Sequence, residues 1–203
     1  MGRLVAIRHG ETAWSRSGKH TSRSDIALTE EGRAAALDLA PRLMDHRYTS
    51  VLSSPRKRAV DTAVLAGFAD RLVIDDDLVE WDYGDYEGRT TADIRVERPG
   101  WTIWDNDPPN GETAADVAAR ADHIVEAARR VDGDVLVFSH AHFLRVLAAR
   151  WVGLGPEYGR HFALSTASMS VLGWQREDPV VELWNDSSHL HAGPRGDWDR
   201  AVS

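Results

Sequence analysis

The stretch Leu4-Val5-Ala6-Ile7-Arg8-His9-Gly10-Glu11-Thr12 joins four apolar residues to a polar run. Four apolar residues in succession are typical of a short strand that is buried on both faces of a sheet. The polar residues begin where that strand ends. In open parallel sheets, ligands bind beyond the C-terminal ends of the strands. The stretch therefore predicts a central strand and a ligand site that begins at Arg8 and His9.

Further apolar runs alternate with helix-like segments along the chain. Strands are predicted at 51–53, 73–74, 135–138, 169–174 and 180–184, the last two as a hairpin. Helices are predicted from Thr29 and Ser54-Pro55, and at 91–97, 114–130 and 143–151. This alternation predicts an α/β three-layer sandwich with a mainly parallel central sheet flanked by helices. No repeat or linker divides the chain, so we expect one domain over residues 1–203, with a loosely ordered tail over 187–203.

The composition narrows the classes of function. The 203 residues carry a net charge of −8 and no cysteine. Negative charge disfavours general nucleic-acid binding, and the lack of cysteine excludes disulfides and thiolate chemistry. The apolar runs are too short to span a bilayer, and the N-terminus does not look like a signal peptide. We therefore expect a cytoplasmic protein without nucleic-acid or membrane partners, in which arginine binds any anion, since only Lys19 and Lys57 are lysines.

Three predicted strands end beside basic side chains. The first ends at Arg8 and His9, the strand at 135–138 precedes Ser139-His140-Ala141-His142, and the strand at 51–53 precedes Arg56 and Arg58. If these ends meet at one edge of the sheet, two imidazoles and two or three guanidinium groups surround one small volume. The sequence therefore predicts an anion site, and the spacing leaves open whether Arg56 or Arg58 belongs to it.

This set of side chains suits phosphoryl transfer, in which negative charge spreads over three equatorial oxygens. Arg8 and Arg58 would supply forked donors, and His140, if protonated, would supply another. The helix after His140 would add free backbone N–H groups. A neutral imidazole is a competent nucleophile, which makes His9 the candidate to accept the phosphoryl group.

Hydrolysis also needs a proton for the leaving group. Glu80 lies between apolar Val79 and Trp81, and burial disfavours a carboxylate, so we predict that Glu80 is the proton donor. Asp82 and Asp85 are the competing acids. The pair His140-x-His142 is also half of a metal-site pattern. Because a guanidinium beside His9 would repel a cation, we expect no metal, and we expect His142 to orient neighbours or to line the rim.

Six motifs along the chain resemble those of the histidine phosphatase superfamily, also called phosphoglycerate mutase-like, over roughly residues 4–184. In the family's order they are Arg8-His9-Gly10-Glu11-Thr12, Leu28-Thr29-Glu30-Glu31-Gly32, Ser53-Ser54-Pro55 with Arg58-Ala59-Val60-Asp61-Thr62, residues 80–88, Asn110-Gly111-Glu112-Thr113 and Ser139-His140. The sequences of residues 80–88 and of Asn110-Gly111-Glu112-Thr113 are similar to those of acid phosphatases and of sugar-bisphosphatase-like members.

The resemblance implies a role for each matched residue. His9 would be the phosphorylated histidine, Arg8 and Arg58 the phosphate-holding arginines, His140 the second pocket histidine and Glu80 the proton donor. The family pattern selects Arg58 over Arg56. Further substrate-binding positions implied in this way are Ser15, Thr21, Ser22 and Ala141. The resemblance implies no metal and no cofactor, and it implies a homodimer.

Four departures from the family pattern affect the details. Ala141 stands where glycine is usual, Ser15 where the mutases carry asparagine, and Ser22 where a glycine commonly follows Thr21. Residues 89–110 contain neither lysine nor adjacent arginines, which in the mutases hold the substrate carboxylate. We therefore predict a phosphomonoester hydrolase that acts on a small phosphorylated metabolite through a phosphohistidine. The alternatives are a cofactor-dependent phosphoglycerate mutase and a non-catalytic phospho-ligand binder.

Overall fold

A six-stranded sheet forms the centre of the computed structural model, which describes residues 2–190. The strands are β1 (Leu4–Arg8), β2 (Tyr48–Ser53), β3 (Leu72–Ile74), β4 (Asp134–Ser139), β5 (Met169–Gln175) and β6 (Asp178–Asp186). The α-helices are α1 (Ala13–Arg16), α2 (Glu30–Met44), α3 (Lys57–Leu65), α4 (Thr91–Glu97), α5 (Ala114–Arg130) and α6 (Ala141–Trp151). The order of strands is β3-β2-β4-β1-β5-β6, in which β1 to β4 are parallel. The predicted α/β fold with a mainly parallel sheet is confirmed.

The register of the sheet brings three strand ends together. In the parallel pair β1 and β4, Arg8 lies opposite Ser139, so His9 and His140 follow at the same level. On the other side of β4, Ser53 of β2 pairs with Phe138. The C-terminal ends of β1, β2 and β4 therefore share one edge of the sheet, as the sequence predicts.

Alternate residues of β1 pack on opposite faces of the sheet. Leu4 and Ala6 belong to a core cluster with side chains of α5 and α6, and Val5 and Ile7 belong to a second cluster with side chains of α2 and α3. All four residues are at most 4% exposed. Helices therefore cover both faces, which explains why β1 is apolar at every position.

Two helix boundaries differ from the prediction, and one short helix was not predicted. Helix α3 begins at Lys57 rather than at Ser54-Pro55, since the Ser54 hydroxyl bonds to His140 Nε2 and to the backbone N–H of Arg56. Helix α6 begins two residues early, where a carboxylate accepts its first N–H groups. The short helix α1 was not predicted, and a reciprocal capping box between Thr12 and Ser15 stabilises it.

The tail predicted to be loosely ordered begins as a defined segment. Ser188–Leu190 form a 3-10 helix, the Ser188 hydroxyl accepts a hydrogen bond from Arg42, and Leu190 packs against the cluster that contains Val5. Residues 191–203 lie outside the described part of the chain. Within residues 2–190, none of the helices has both the length and the apolar character that crossing a bilayer requires.

Candidate active site

His9 and His140 lie next to each other because β1 and β4 end side by side. Their ring centroids are 5.1 Å apart, and both side chains are buried. Gly10 allows this close packing, since a Cβ on it would lie 2.4 Å from the Gly32 carbonyl oxygen at the start of α2. The Gly10 N–H donates to the Thr62 hydroxyl of α3. The loop after β1 is thereby fixed against both helices.

The His9 ring is held in one tautomer. Its Nδ1 lies 2.7 Å from the Gly10 carbonyl oxygen, which can only accept, so Nδ1 carries the proton. Burial, with the Arg58 and Arg8 guanidinium groups nearby, holds the pKa of His9 well below its usual value of 6.5. The ring is therefore neutral near pH 7, and Nε2 keeps a free lone pair.

Arg8 supplies a fixed cation beside this ring. Its Nη1 donates to the Leu164 carbonyl oxygen at 2.5 Å, and its Nε is buried without a partner among the described residues. Burial lowers the pKa of Arg8 to about 10, so the guanidinium stays charged near neutrality. A buried donor without a partner is costly, and an anion at this position would satisfy it.

His140 is a neutral partner of Arg58, which corrects the expectation that it would donate as an imidazolium. Arg58 Nε donates to His140 Nδ1 at 3.2 Å, and His140 Nε2 lies 2.8 Å from the Ser54 hydroxyl. Burial and the nearby guanidinium hold the pKa of His140 well below 6.5. Arg58 also donates to the carbonyl oxygens of Thr21 and Ser24.

Both Arg58 and His140 are fully buried beside His9 and do not line the cavity that His9 faces. The sequence predicted that both would contact phosphate directly, and that contact stays a prediction; in this structure Arg58 bonds to His140, whose ring packs against that of His9. Arg56, the alternative to Arg58, is half-buried and does not line the cavity either.

The Glu80 carboxylate caps the N-terminus of α6. Oε1 accepts the N–H groups of Trp81 at 2.9 Å and Phe143 at 2.8 Å, whereas Oε2 accepts only that of His142 at 3.0 Å. Glu80 is 4% exposed and lines the cavity. The competing acids do not line it, because Asp82 pairs with Arg23 and Asp85 accepts from Asn110.

The cavity has a volume of about 250 Å³ at the C-terminal edge of the sheet. Its predicted lining residues are Arg8, His9, Ser15, Thr21, Glu80, Ala141 and His142. Ala141 is the first residue of α6, a right-handed helical position that accommodates its methyl group. Ser22 does not line the cavity: its N–H donates to the Glu87 carboxylate, and its hydroxyl donates to the Glu80 carbonyl.

Sequence reasoning did not identify the other lining residues, which are Thr12, Gly18, Lys19, His20, Tyr83, Thr91, Arg145 and Leu164. Tyr83 and His20 stack with centroids 4.6 Å apart, and the Tyr83 hydroxyl bonds to His142 Nδ1 at 2.7 Å. Arg145 could have been found from helical spacing, because it lies three and four residues after His142 and Ala141 on α6. In the described part of the chain, no three His, Asp or Glu side chains are grouped as a metal site would require.

These features define an α/β enzyme that handles a small anion at the C-terminal edge of its sheet. A family model described as the histidine phosphatase superfamily (branch 1) matches residues 4–187, and the chain belongs to that superfamily. The predicted family is confirmed, and with it the class of enzyme: the chain is a phosphatase, a hydrolase.

Relatives of this chain support the same class. It is 44% identical over 199 residues to an acid phosphatase of Mycobacterium tuberculosis, with 94% of this chain and 97% of the relative covered. It is 35% identical over 188 residues to sedoheptulose 1,7-bisphosphatase of Saccharomyces cerevisiae, covering 76% and 69%. The solved structure of the product of open reading frame Rv3214 from M. tuberculosis superimposes with a TM-score of 0.87 at 40% identity, covering 91% and 97%.

Proposed function

We propose that this phosphatase transfers the phosphoryl group of a small phosphomonoester to Nε2 of His9 and then to water. The observation that carries the proposal is the fixed tautomer of His9. Its Nδ1 is bound to the Gly10 carbonyl and its pKa is lowered, so a neutral nucleophile with a free Nε2 lies at the cavity. The Nε of Arg8, which has no partner among residues 2–190, is the nearby donor for a phosphate oxygen.

In the first step, the His9 Nε2 lone pair attacks phosphorus and the bond from phosphorus to the leaving oxygen breaks. The leaving oxygen takes a proton from Glu80 as it departs. We assign this proton to Oε2, since Oε1 already accepts two backbone N–H groups and Oε2 accepts one. His140 packs against the His9 ring, and burial together with the Arg58 guanidinium keeps that ring neutral.

In the second step, a water molecule attacks phosphorus and the bond from Nε2 to phosphorus breaks. The Glu80 carboxylate takes the proton from that water, which restores the starting state and releases inorganic phosphate. The same carboxylate thus acts as acid and then as base. Fixed donors around the equatorial oxygens stabilise the charge that develops in both steps.

The substrate class follows from the size of the cavity and from the relatives. A volume of about 250 Å³ fits a small metabolite rather than a protein segment. The relatives named above include an acid phosphatase and a sugar bisphosphatase. We therefore propose a small phosphorylated metabolite as substrate. A cytoplasmic location and a homodimer, which the sequence predicts, stay predictions.

The geometry favours hydrolysis over the mutase alternative. In the mutases the segment that corresponds to residues 89–110 holds the substrate carboxylate, whereas here Thr91 is the only residue of that segment that lines the cavity, and it carries no charge. Interconversion of 3- and 2-phosphoglycerate that is faster than phosphate release would contradict this assignment.

Release of inorganic phosphate in the presence of a chelator tests the proposal. We expect His9→Ala to lose all but a trace of the release from p-nitrophenyl phosphate and from sugar phosphates. His123→Ala is the matched control, because His123 is exposed and pairs only with Asp77. Full activity in His9→Ala would show that another group accepts the phosphoryl group.

A further inference from the structure

Arg145 is a cavity-lining cation that the two steps above do not use. It lies on α6 on the same face as Ala141, and both line the cavity. Its Nε donates to the Gly159 carbonyl at 3.0 Å and its Nη2 to the Arg160 carbonyl at 3.2 Å. The guanidinium also lies 4.6 Å from the Trp104 ring centroid. Two carbonyls and one ring therefore hold it in a single orientation.

No carboxylate is paired with Arg145 in the part of the chain that the structure describes. The acidic side chain of the loop beside it, Asp105, is paired with Arg160 instead. Burial lowers the pKa of Arg145. The third nitrogen, Nη1, has no partner among residues 2–190. A partly desolvated charge of this kind is costly, and an anionic ligand would compensate for it.

Cations outnumber carboxylates among the residues that line the cavity. Arg8, Lys19 and Arg145 line it, against the single carboxylate of Glu80. Lys19 is exposed, lies over the Trp14 ring at 5.6 Å and is part of the wall formed by the loop after α1. Arg8, beside the nucleophile, is the cation for the phosphoryl group. Two cations then remain for the rest of the substrate.

We propose that Arg145, with Lys19, binds a second anionic group on the substrate, either a carboxylate or a second phosphate. The proposal rests on the proposed function, because it concerns the part of the substrate that leaves His9. Because carbonyls hold Nε and Nη2, the Nη1 group of Arg145 donates to an oxygen of either group from a fixed position, whereas a flexible ammonium adds charge without fixing geometry. The preferred substrates are thus small phosphomonoesters with a second negative charge.

Two matched pairs of substrates test this inference. 3-Phosphoglycerate and glycerol 3-phosphate differ in a carboxylate, and fructose 1,6-bisphosphate and fructose 6-phosphate differ in a phosphate. We expect kcat/KM of the wild type to be about tenfold or more higher for the doubly charged member of at least one pair. The pair that shows the difference identifies the second group. No preference in either pair would overturn the inference.

Arg145→Gln removes the charge and is expected to reduce that ratio about tenfold, towards parity. Arg145→Lys keeps the charge without the fixed planar group, so its ratio falls less, and it serves if the glutamine variant does not fold. Arg150→Gln is the matched control, because Arg150 lies on the same helix, pairs with Asp122 and does not line the cavity. An unchanged ratio in the Arg145 variants would overturn the inference. If phosphate release occurs and depends on His9, the proposed function stands whatever these ratios show.

Discussion

At the scale of single residues, the site depends on two imidazoles held in opposite tautomers. The Gly10 carbonyl places the proton of His9 on Nδ1, whereas Arg58 Nε donates to Nδ1 of His140 and leaves its proton on Nε2. Both rings are neutral, because burial and neighbouring guanidinium groups lower the pKa of each. His9 therefore has a free lone pair on Nε2 at the cavity, and Nε2 of His140 donates a hydrogen bond to the Ser54 hydroxyl.

Most site residues could be identified from the sequence, because they follow strand ends in recognisable motifs. Arg8, His9, Glu80 and Ala141 were predicted and line the cavity. The protonation of His140 could not be predicted, since it depends on which atom of Arg58 approaches the ring. Nor does the position of Ser22 in the sequence show that its N–H donates to Glu87 and its hydroxyl to the Glu80 carbonyl. The sequence therefore indicated which residues meet but not which donors remain free.

At the scale of elements, the segment that carries Glu80 is clamped to α5 by Arg120. Its Nη1 donates to the carbonyl oxygens of Asp77 and Val79, at 2.7 and 3.0 Å, just before Glu80. Its Nε and Nη2 donate to the Glu112 carboxylate, which also accepts the N–H of Asp82. The guanidinium lies 5.0 Å from the Phe143 ring, whose N–H binds Glu80. Arg120 thus stabilises both the segment that precedes Glu80 and the start of α6, which Glu80 caps.

We predict that Arg120→Ala impairs proton donation more than it impairs phosphate binding. kcat/KM for glycerol 3-phosphate, whose leaving group needs a proton, should fall at least about tenfold more than for p-nitrophenyl phosphate, whose leaving group needs little. Arg150→Ala is the control, since Arg150 makes a similar pair of bonds to Asp122 between α5 and α6. Equal losses on both substrates would show that Arg120 is merely structural.

The helices and strands themselves followed from apolar patterning, and α4 and α5 have the predicted bounds. Where boundaries were wrong, a side chain from elsewhere in the chain had replaced the local signal. Helix α6 begins at Ala141 because Glu80, about sixty residues earlier, accepts its first N–H groups. Local patterning does not contain such long-range capping. The capping box that supports α1 is local, and Thr12 with Ser15 was the signal that could have predicted it.

At the scale of the whole molecule, four histidines around the cavity are neutral because folding removes them from water. The pKa values of His9, His140 and His142 lie well below 6.5, and burial lowers that of His20 to about 4. In the unfolded chain these groups regain ordinary values near 6.5. Between the two values the unfolded state binds more protons, so stability is full above pH 6.5 and decreases as the pH falls towards 4.

We predict that His20→Gln weakens this pH dependence. With values of about 4 folded and 6.5 unfolded, His20 accounts for a loss of about 2 kcal/mol between pH 7.5 and pH 5. Urea unfolding at the two pH values measures the difference directly. His123→Gln, an exposed histidine, is the control. If His20→Gln lost as much stability as the wild type over this interval, His20 would not be buried in its neutral form.

The proposed reaction depends on His9 as the residue that carries the phosphoryl group. Its most direct test is to mix the protein with p-nitrophenyl phosphate, quench within one turnover in base, where phosphohistidine is stable, and locate the modified residue by mass spectrometry. We predict phosphorylation of His9 that disappears on a chase without substrate. A protein that turns over substrate with the phosphoryl group on another residue, or with none trapped on any residue, would contradict it.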